Sequence, residues 1–372
     1  MTRSRVWFGL LLASLVIAAT VAISIHRHHQ VLKAAAPPRW NGEFPCVSVA
    51  ADDVAIAPQL GKCAIPTTHS VPVDRFEADL RYGAFTLRQT DLYLNDVFQV
   101  PLTRTYTSYD WVAEPQHAFG LNTNHPYDIA PRGTRNPYTF QYIALEDSNF
   151  IYSDRISKGT GYADCVFQHT ETSTNFYKAT TRWNGNGWTT KLSDGSEIHF
   201  PESYNAKNLA QGAPTEMLDA QGNRLELRRD GQRNLQEILT PHGHWIKFQY
   251  DDQARITRAE DDAGNWASYF YNLDGMLADV SLSSGHERHY SYQKTTMIRV
   301  MDEKGKILLH NWYVDRMLVR QDFADGTLGS YRYQWARGAR YPETAIVRLA
   351  GGAETKVRVA DTIPEYLRGF AH

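Results

Sequence analysis

The stretch that decides the fold runs from Gly243 to Gly285 and reads GHWIKFQYDDQARITRAEDDAG, then NWASYFYNLDGMLADVSLSSG. It contains two copies of a 21-residue unit that continues on both sides. The period is kept by three columns of residues: glycines (Gly222, Gly243, Gly264, Gly285, Gly305, Gly326), tyrosines (Tyr250, Tyr271, Tyr292, Tyr313, Tyr333, with Arg229 in the first place) and aliphatic residues (Leu235, Ile256, Leu277, Ile298, Leu318). Each column contains one step of 20 residues, at Gly305, Tyr333 and Leu318. A fixed period of this length indicates stacked supersecondary units.

Each unit is predicted to be a hairpin of two short strands. After Gly264, apolar and polar positions alternate with the period of a β-strand, and residues 272–275 have the composition of a turn before a second strand begins. Successive hairpins are expected to pair edge to edge into one long, twisted antiparallel sheet. We expect one face of that sheet to carry a single row of tyrosines, made up of Tyr250, Tyr271, Tyr292 and Tyr313.

The residue pattern of the unit resembles the repeat motif of a known protein family. Tyr250-Asp251-x-x-x-Arg255-Ile256-x-Arg258, followed by Asp262-x-Gly264, is similar to the YD repeat of the Rhs proteins. The resemblance includes residues 102–108 and 119–122 and covers roughly residues 74–335. Large Rhs proteins enclose a toxic C-terminal domain in a hollow shell and release it by self-cleavage at an Asp-Pro-rich element. This sequence has no Asp-Pro dipeptide and about six repeats, so the toxin function is not expected to carry over.

The N-terminal sequence predicts a membrane anchor. Val6 to Ile25 is uncharged, and a helix of this length spans about 30 Å, the thickness of the hydrocarbon core. A cleaved signal peptide, which normally has a shorter apolar core, is the alternative. Arg3 and Arg5 favour an internal N-terminus. The prediction is a single-pass protein of the inner membrane whose main domain faces the periplasm or the cell exterior.

The three cysteines are consistent with export. Cys46 and Cys63 lie in a proline-containing segment that is predicted to be a loop, and in an exported protein a disulfide between them is the natural expectation. The alternative is two unpaired thiols. Cys165 is expected to be buried in apolar packing.

The predicted fold class is mainly β, with helix confined to the anchor. The expected division is an anchor (1–25), a linker with the disulfide loop (26–73), a strand-rich cap (74–215), the YD repeats (216–336) and a C-terminal strand and tail (337–372). The net charge of −2 argues against a nucleic-acid-binding surface, which normally carries a basic excess.

No catalytic, cofactor or metal site is predicted. The candidates considered were a histidine cluster beside the membrane (His26, His28, His29), a pair at a repeat turn (His242, His244), repeated acidic pairs (Asp251-Asp252, Asp261-Asp262) and His125 with Asp128 in the cap. The acidic pairs resemble glycosidase carboxylates but recur where every unit needs turn-forming residues. His125 and Asp128 are the best candidates for a site in the cap.

The predicted function is a non-enzymatic binding or scaffold module for a glycan or a protein. A row of repeat aromatics could form the binding surface, and the tentative binding residues are Trp266, Tyr269, Tyr290 and Trp312. The alternative is an accessory or remnant of an Rhs toxin system that assists assembly or protection. An envelope hydrolase is the least supported interpretation.

Overall fold

The computed structural model describes residues 78–80, 82–108, 117–133, 138–170, 175–337, 342–349 and 352–359. All of them belong to one compact unit, Pro45–His372. The predicted anchor from Val6 to Ile25, the predicted Cys46–Cys63 disulfide and the membrane-proximal histidines lie outside the described residues. No helix within the described ranges is both long and apolar enough to span a membrane.

The predicted antiparallel β structure is confirmed. Four strands form a separate inner sheet in the order β1 (Ala78–Asp79), β2 (Ala84–Asn95), β3 (Gln99–Thr107) and β4 (Thr123–Asn124). The second sheet, called the long sheet below, begins with β5 (Ala130–Gly133), β6 (Phe140–Ala144), β7 (Phe150–Arg155), β8 (Val166–Gln168), β9 (Thr180–Trp183), β10 (Gly187–Lys191), β11 (Glu197–Pro201) and β12 (Glu216–Leu218).

The long sheet continues through the repeats without interruption. Its remaining strands are β13 (Arg224–Arg229), β14 (Leu235–Leu239), β15 (Trp245–Tyr250), β16 (Ile256–Asp261), β17 (Trp266–Tyr271), β18 (Leu277–Leu282), β19 (Glu287–Gln293), β20 (Thr296–Asp302), β21 (Ile307–Val314), β22 (Met317–Phe323), β23 (Leu328–Gln334), β24 (Thr344–Leu349) and β25 (Thr355–Arg358). In the long sheet, each strand from β5 to β24 pairs with the next one along the chain. Successive hairpins therefore join edge to edge, as the period predicts.

Four of the five tyrosines in the column, those of β15, β17, β19 and β21, follow a β-bulge, whereas Tyr333 of β23 pairs in regular register. The register shifts between Gln249 and Tyr250, and the same shift precedes the other tyrosines of β17, β19 and β21. A bulge re-aims the side chain that follows it. Each tyrosine hydroxyl donates to a backbone carbonyl of the preceding hairpin, with partners Leu235 (2.7 Å), Ile256 (2.6 Å), Leu277 (2.7 Å), Met297 (3.1 Å) and Leu318 (2.9 Å). The predicted single row is confirmed.

Two details of the repeat differ from or extend the sequence pattern. Met297, which is 2% exposed, takes the aliphatic position that the period assigns to Ile298. The reason is the tight turn after β19, where Gln293 pairs with Thr296, so that Met297 and Gly305 both come one residue early. Arg229 serves in place of a tyrosine, because its Nε donates to the Pro214 carbonyl 15 residues earlier (3.1 Å).

The inner sheet is enclosed by the long sheet's apolar face. Every residue of β3 from Val100 to Thr107 is buried, and neighbouring strand residues point to opposite faces, so both faces of this strand are covered. Backbone N–H groups of the repeats also bond to the inner segments, by which we mean the inner sheet and the residues that flank its strands. Ile256 donates to the Ala118 carbonyl (2.7 Å) and Leu318 to the Gly83 carbonyl (2.7 Å).

The expectation that helix is confined to the anchor is wrong at one place. A four-residue helix, α1 (Leu209–Gly212), follows β11, and a 3₁₀ turn spans Pro126–Asp128. The Asn208 side chain caps α1 by accepting from the Gln211 N–H (3.1 Å). Leu209 anchors it against Ala130 and Ala144 of β5 and β6. Because the helix is one turn long, it leaves no 3.6-residue period for sequence analysis to detect.

Candidate functional site

The repeat aromatics do not form the continuous exposed stripe that the sequence suggested. Tyr269 and Tyr290 are 2% and 6% exposed, because they point inward to the inner sheet. The Tyr269 hydroxyl donates to Asp91 (2.8 Å), and the Tyr290 hydroxyl donates to Gln89. Assigning these two residues to an exposed binding surface is therefore wrong.

The two tryptophans of that set do reach the surface. Trp266 is half-buried under the Arg258 guanidinium, 4.7 Å from its ring centre. Trp312 is 47% exposed, packs against the His310 ring in a tilted arrangement (4.3 Å between ring centres) and donates through Nε1 to Asp322 (3.0 Å). They belong to different hairpins, Trp266 to β17 and Trp312 to β21.

A larger aromatic surface lies elsewhere, where the first strands of the long sheet meet the segment after β11. This aromatic cleft encloses about 530 Å³. Its walls carry both aromatic and polar side chains: Arg132, Tyr138, Phe140, Gln141, Tyr142, Tyr162, Phe167, Trp183, Trp188, Glu202, Ser203 and Tyr204. Mostly apolar walls with a few polar groups are typical of sites for organic ligands.

The rings of the aromatic cleft form a connected series from the core to the surface. Phe167 contacts Trp188 (5.9 Å between ring centres), Trp188 contacts Trp183 (5.4 Å) and Trp183 contacts Tyr162 (5.3 Å, edge-to-face). Phe167 and Trp188 are buried, whereas Tyr162 is 48% exposed. Tyr204 is also exposed. The buried rings thus hold Tyr162 in position, which lowers the entropy cost of binding.

One signal in the sequence could have located the aromatic cleft. Trp183 and Trp188 flank the run Asn184-Gly185-Asn186-Gly187, which has the composition of a tight hairpin turn. The two tryptophans are direct cross-strand partners in β9 and β10. The remaining rings come from four separated segments, so no sequence spacing connects them.

A second, polar cleft of about 210 Å³ lies between the chain around β4 and the repeats. Its lining includes His117, Asn124, Asp128, Asn234 and Tyr250. His125 and Asp128, the candidates for a site in the cap, are brought together here, with His125 Nε2 3.7 Å from Asp128 Oδ2. Arg229 from the first repeat binds the other carboxylate oxygen (2.9 Å).

Burial controls the protonation of this cluster. His125 is fully buried between the rings of Phe119 and Tyr127. Desolvation lowers its pKa to about 4, although Asp128 favours the charged form. The pKa of Asp128 is also lowered, because His125 and Arg229 outweigh the opposing effect of its burial. The cluster therefore holds a neutral imidazole beside a carboxylate paired with Arg229.

We expect this histidine to make folding pH-dependent. A pKa lowered from 6.5 to about 4 means that the folded chain resists a proton that the unfolded chain accepts. The contribution of neutral His125 to the free energy of unfolding is complete above pH 6.5 and is lost as the pH falls toward 4. The loss amounts to about 3 kcal/mol. Denaturation of the natural chain and of a His125→Gln variant between pH 4 and 7 measures it. The natural chain should lose more stability than the variant, and parallel pH profiles would contradict the assignment.

The other charged candidates have structural roles. His242 pairs with Asp96 (2.5 Å) and His244 with Asp262 (2.7 Å), so the two rings bind different carboxylates. Asp261 Oδ1 accepts from the N–H groups of Ala263 and Asn265 (3.0 and 2.8 Å) and thereby closes a turn. In the described part of the chain, no three His, Cys, Asp or Glu side chains are placed to share a metal ion.

Cys165 is buried at 1% exposure, as expected. Its Sγ donates to the Gly161 carbonyl (2.9 Å) and contacts Arg155 Nη1 (3.0 Å). Burial raises the pKa of this thiol.

Comparison with known proteins gives matches only among solved structures. No protein-family model and no curated protein matches the sequence. The chain is similar to the crystal structures of TcdB2-TccC3-TEV (TM-score 0.31, 12% identity, 73% of this chain and 16% of that chain) and of TcdB2-TccC3-Cdc42 (0.30, 12%, 73% and 19%). It is also similar to TcdB2-TccC3 without its hypervariable C-terminal region (0.31, 13%, 73% and 15%). This chain spans less than a fifth of the length of those chains.

Proposed function

We propose that the protein is a membrane-tethered, extracytoplasmic YD-repeat module of the Rhs type that binds a glycan in the aromatic cleft. The observation that carries the proposal is the connected series of rings that ends in Tyr162 at the surface of this cleft, where Tyr204 is exposed as well. The long sheet is the scaffold that holds those rings, and the module has no catalytic role.

A glycan suits the cleft better than a protein. The C–H face of a sugar ring packs against aromatic faces, and its hydroxyls need polar partners at the edge of the site. Both are present, because Arg132, Gln141 and Glu202 lie among the rings. Gln141 is 5% exposed, and its Oε1 has no hydrogen-bond partner among the described residues. A hydroxyl donor would satisfy this oxygen.

The binding test uses the full chain in detergent on an array of immobilised glycans. Tyr162→Ala should weaken binding of a retained glycan at least tenfold, the ~1.4 kcal/mol or more expected from an anchoring aromatic. The matched control is Trp312→Ala, since Trp312 is 47% exposed and Tyr162 48%, and it should bind as the natural chain does. Retention of no glycan, or equal losses in both variants, would contradict the proposal. Capture of an Rhs protein in place of a glycan would favour the accessory role in a toxin system.

The membrane tether is tested separately. The uncharged stretch from Val6 to Ile25 supports an uncleaved anchor, so the expressed protein should stay in the membrane pellet after carbonate extraction. A soluble product shortened by roughly 30–40 residues would show that the stretch is a cleaved signal peptide.

A further inference from the structure

The polar cleft has features of a ligand site that are independent of the aromatic cleft. The two clefts share no lining residue. The polar cleft is closed on one side by His117, Asn124 and Asp128 and on the other by Asn234 and Tyr250 of the repeats. It therefore lies where the inner segments meet the repeats.

An unsatisfied polar atom lies at this cleft. Asn124 is 1% exposed, and its Oδ1 has no hydrogen-bond partner among the described residues. Its Nδ2 is 3.5 Å from His117 Nδ1, the outer limit of a hydrogen bond. A buried polar group left unpaired costs about 1–3 kcal/mol. An occupant of the cleft that bonds to Asn124 would remove this cost.

The charges around the cleft favour a neutral occupant. Asp128 is neutralised by Arg229 (2.9 Å). The guanidinium of Arg229 also donates to the backbone carbonyls of Tyr127, Pro214 and Arg233. Neither group is left needing a counter-ion. Tyr250 adds a ring whose hydroxyl already donates to the Leu235 carbonyl (2.7 Å).

The size of the cleft restricts the occupant further. Liquid water takes up about 30 Å³ per molecule, so about 210 Å³ exceeds the space of one or two bridging waters. It is also below the ~300 Å³ at which sites for drug-sized ligands begin. The space fits one small molecule.

We propose that the polar cleft binds a neutral polyhydroxylated molecule of monosaccharide size and that Asn124 is its anchoring residue. A hydroxyl both donates and accepts, so it satisfies the Asn124 amide in either orientation of the side chain. The Tyr250 ring supplies an apolar wall for the C–H groups. The source is a free sugar or the terminal sugar of a glycan.

The test is saturation-transfer NMR on the full chain in detergent with glucose, galactose and mannose as probes. At least one probe should receive saturation, and Asn124→Leu should weaken its binding at least tenfold. Because Asn124 of β4 is buried and pairs with Thr105 of β3, its replacement could also disturb folding, so a second variant acts at the rim of the cleft. Ala210→Phe places a ring at the lining of the cleft and should block binding. Its control, Ala263→Phe in an exposed repeat turn, should bind as the natural chain does.

Further outcomes separate the two clefts and the two sources. Loss of binding in Tyr162→Ala, with Ala210→Phe unaffected, would place the sugar in the aromatic cleft and overturn this proposal. The absence of saturation transfer to all three sugars and to an oligosaccharide that ends in each of them would overturn it as well. Transfer to the oligosaccharides alone would identify a glycan terminus as the source. Failure of the glycan-array test leaves these outcomes unchanged.

Discussion

Asp91→Asn is expected to lower the free energy of unfolding by about 3–5 kcal/mol, the usual cost of leaving one member of a buried ion pair without its partner. Asp91 lies at a bulge of β2, since Thr90 pairs with Thr103 and Leu92 with Leu102. The bulge directs its carboxylate to Arg104 Nε (2.5 Å) and Nη2 (2.9 Å), and both side chains are less than 5% exposed. Asparagine keeps the shape but leaves the guanidinium charge buried and unpaired.

This pair also joins the inner sheet to the repeats. Arg104 Nη2 donates to Gln89 (3.0 Å) and contacts the Tyr290 hydroxyl (3.3 Å), and Tyr269 donates to Asp91 (2.8 Å). Burial alone would lower the pKa of Arg104, but Asp91 raises it well above its ordinary value. The guanidinium therefore stays charged at any pH at which the chain is folded.

Chemical denaturation of the full chain, followed by tryptophan fluorescence, measures the effect. The control is Lys191→Ala, which breaks an exposed pair with Glu197 (3.0 Å) and should cost at most about 1 kcal/mol. A double variant, Asp91→Leu with Arg104→Met, should recover much of the loss because no charge remains buried. Equal effects of Asp91→Asn and Lys191→Ala would show that the inner pair contributes no more than a surface pair.

Gly120→Ala is expected to cost about 3 kcal/mol or more. Gly120 has φ +83°, and a Cβ there would lie 2.4 Å from the Gly275 carbonyl oxygen and 3.0 Å from the Tyr271 ring. That same oxygen accepts from the Leu121 N–H (3.0 Å). The substitution adds backbone strain of about 1–3 kcal/mol to an overpacking cost of similar size, at a contact between the inner segments and the repeats.

Gly264→Ala separates these two costs. Gly264 has φ +84°, but no atom lies within 4 Å of its added Cβ. It carries the strain without the overpacking and should lose only about 1 kcal/mol. The two variants are compared by thermal and chemical denaturation. If the two variants were equally destabilised, the close approach of Gly120 to the repeats would contribute nothing to the loss in the free energy of unfolding.

The repeats could be predicted from sequence because their contacts are local. The turn residues and the alternating strand residues of each hairpin lie within one 21-residue unit, and the neighbouring units have the same pattern. The inner sheet could not be predicted in the same way. Its strand β3 is buried on both faces by residues about 190 positions away, such as the Thr295 carbonyl that accepts from Tyr106 (2.8 Å). A contact between residues so far apart produces no periodic pattern in the sequence.

The same distinction explains the binding residues. The alternation in β17 places Tyr269 correctly on the apolar face, but the sequence does not reveal that the inner sheet covers this face. Tyr290 is buried for the same reason. His125 and Asp128 could be identified because a short segment contains both. Their partner Arg229 lies 101 residues beyond Asp128, and only the fold brings it to them.

The tyrosine-to-carbonyl bonds give the repeats a direction. Every hydroxyl donates backward, from β15 to β14, from β17 to β16 and onward to β23 and β22. During synthesis the N-terminal hairpin leaves the ribosome first, so each acceptor is in place before its donor emerges. Loss of the last hairpin would leave one backbone carbonyl without its tyrosine, whereas loss of the first would leave a tyrosine without its carbonyl. If the hairpins fold in order from the N-terminus, the tyrosine of each new hairpin can therefore bond at once to a carbonyl that is already in place.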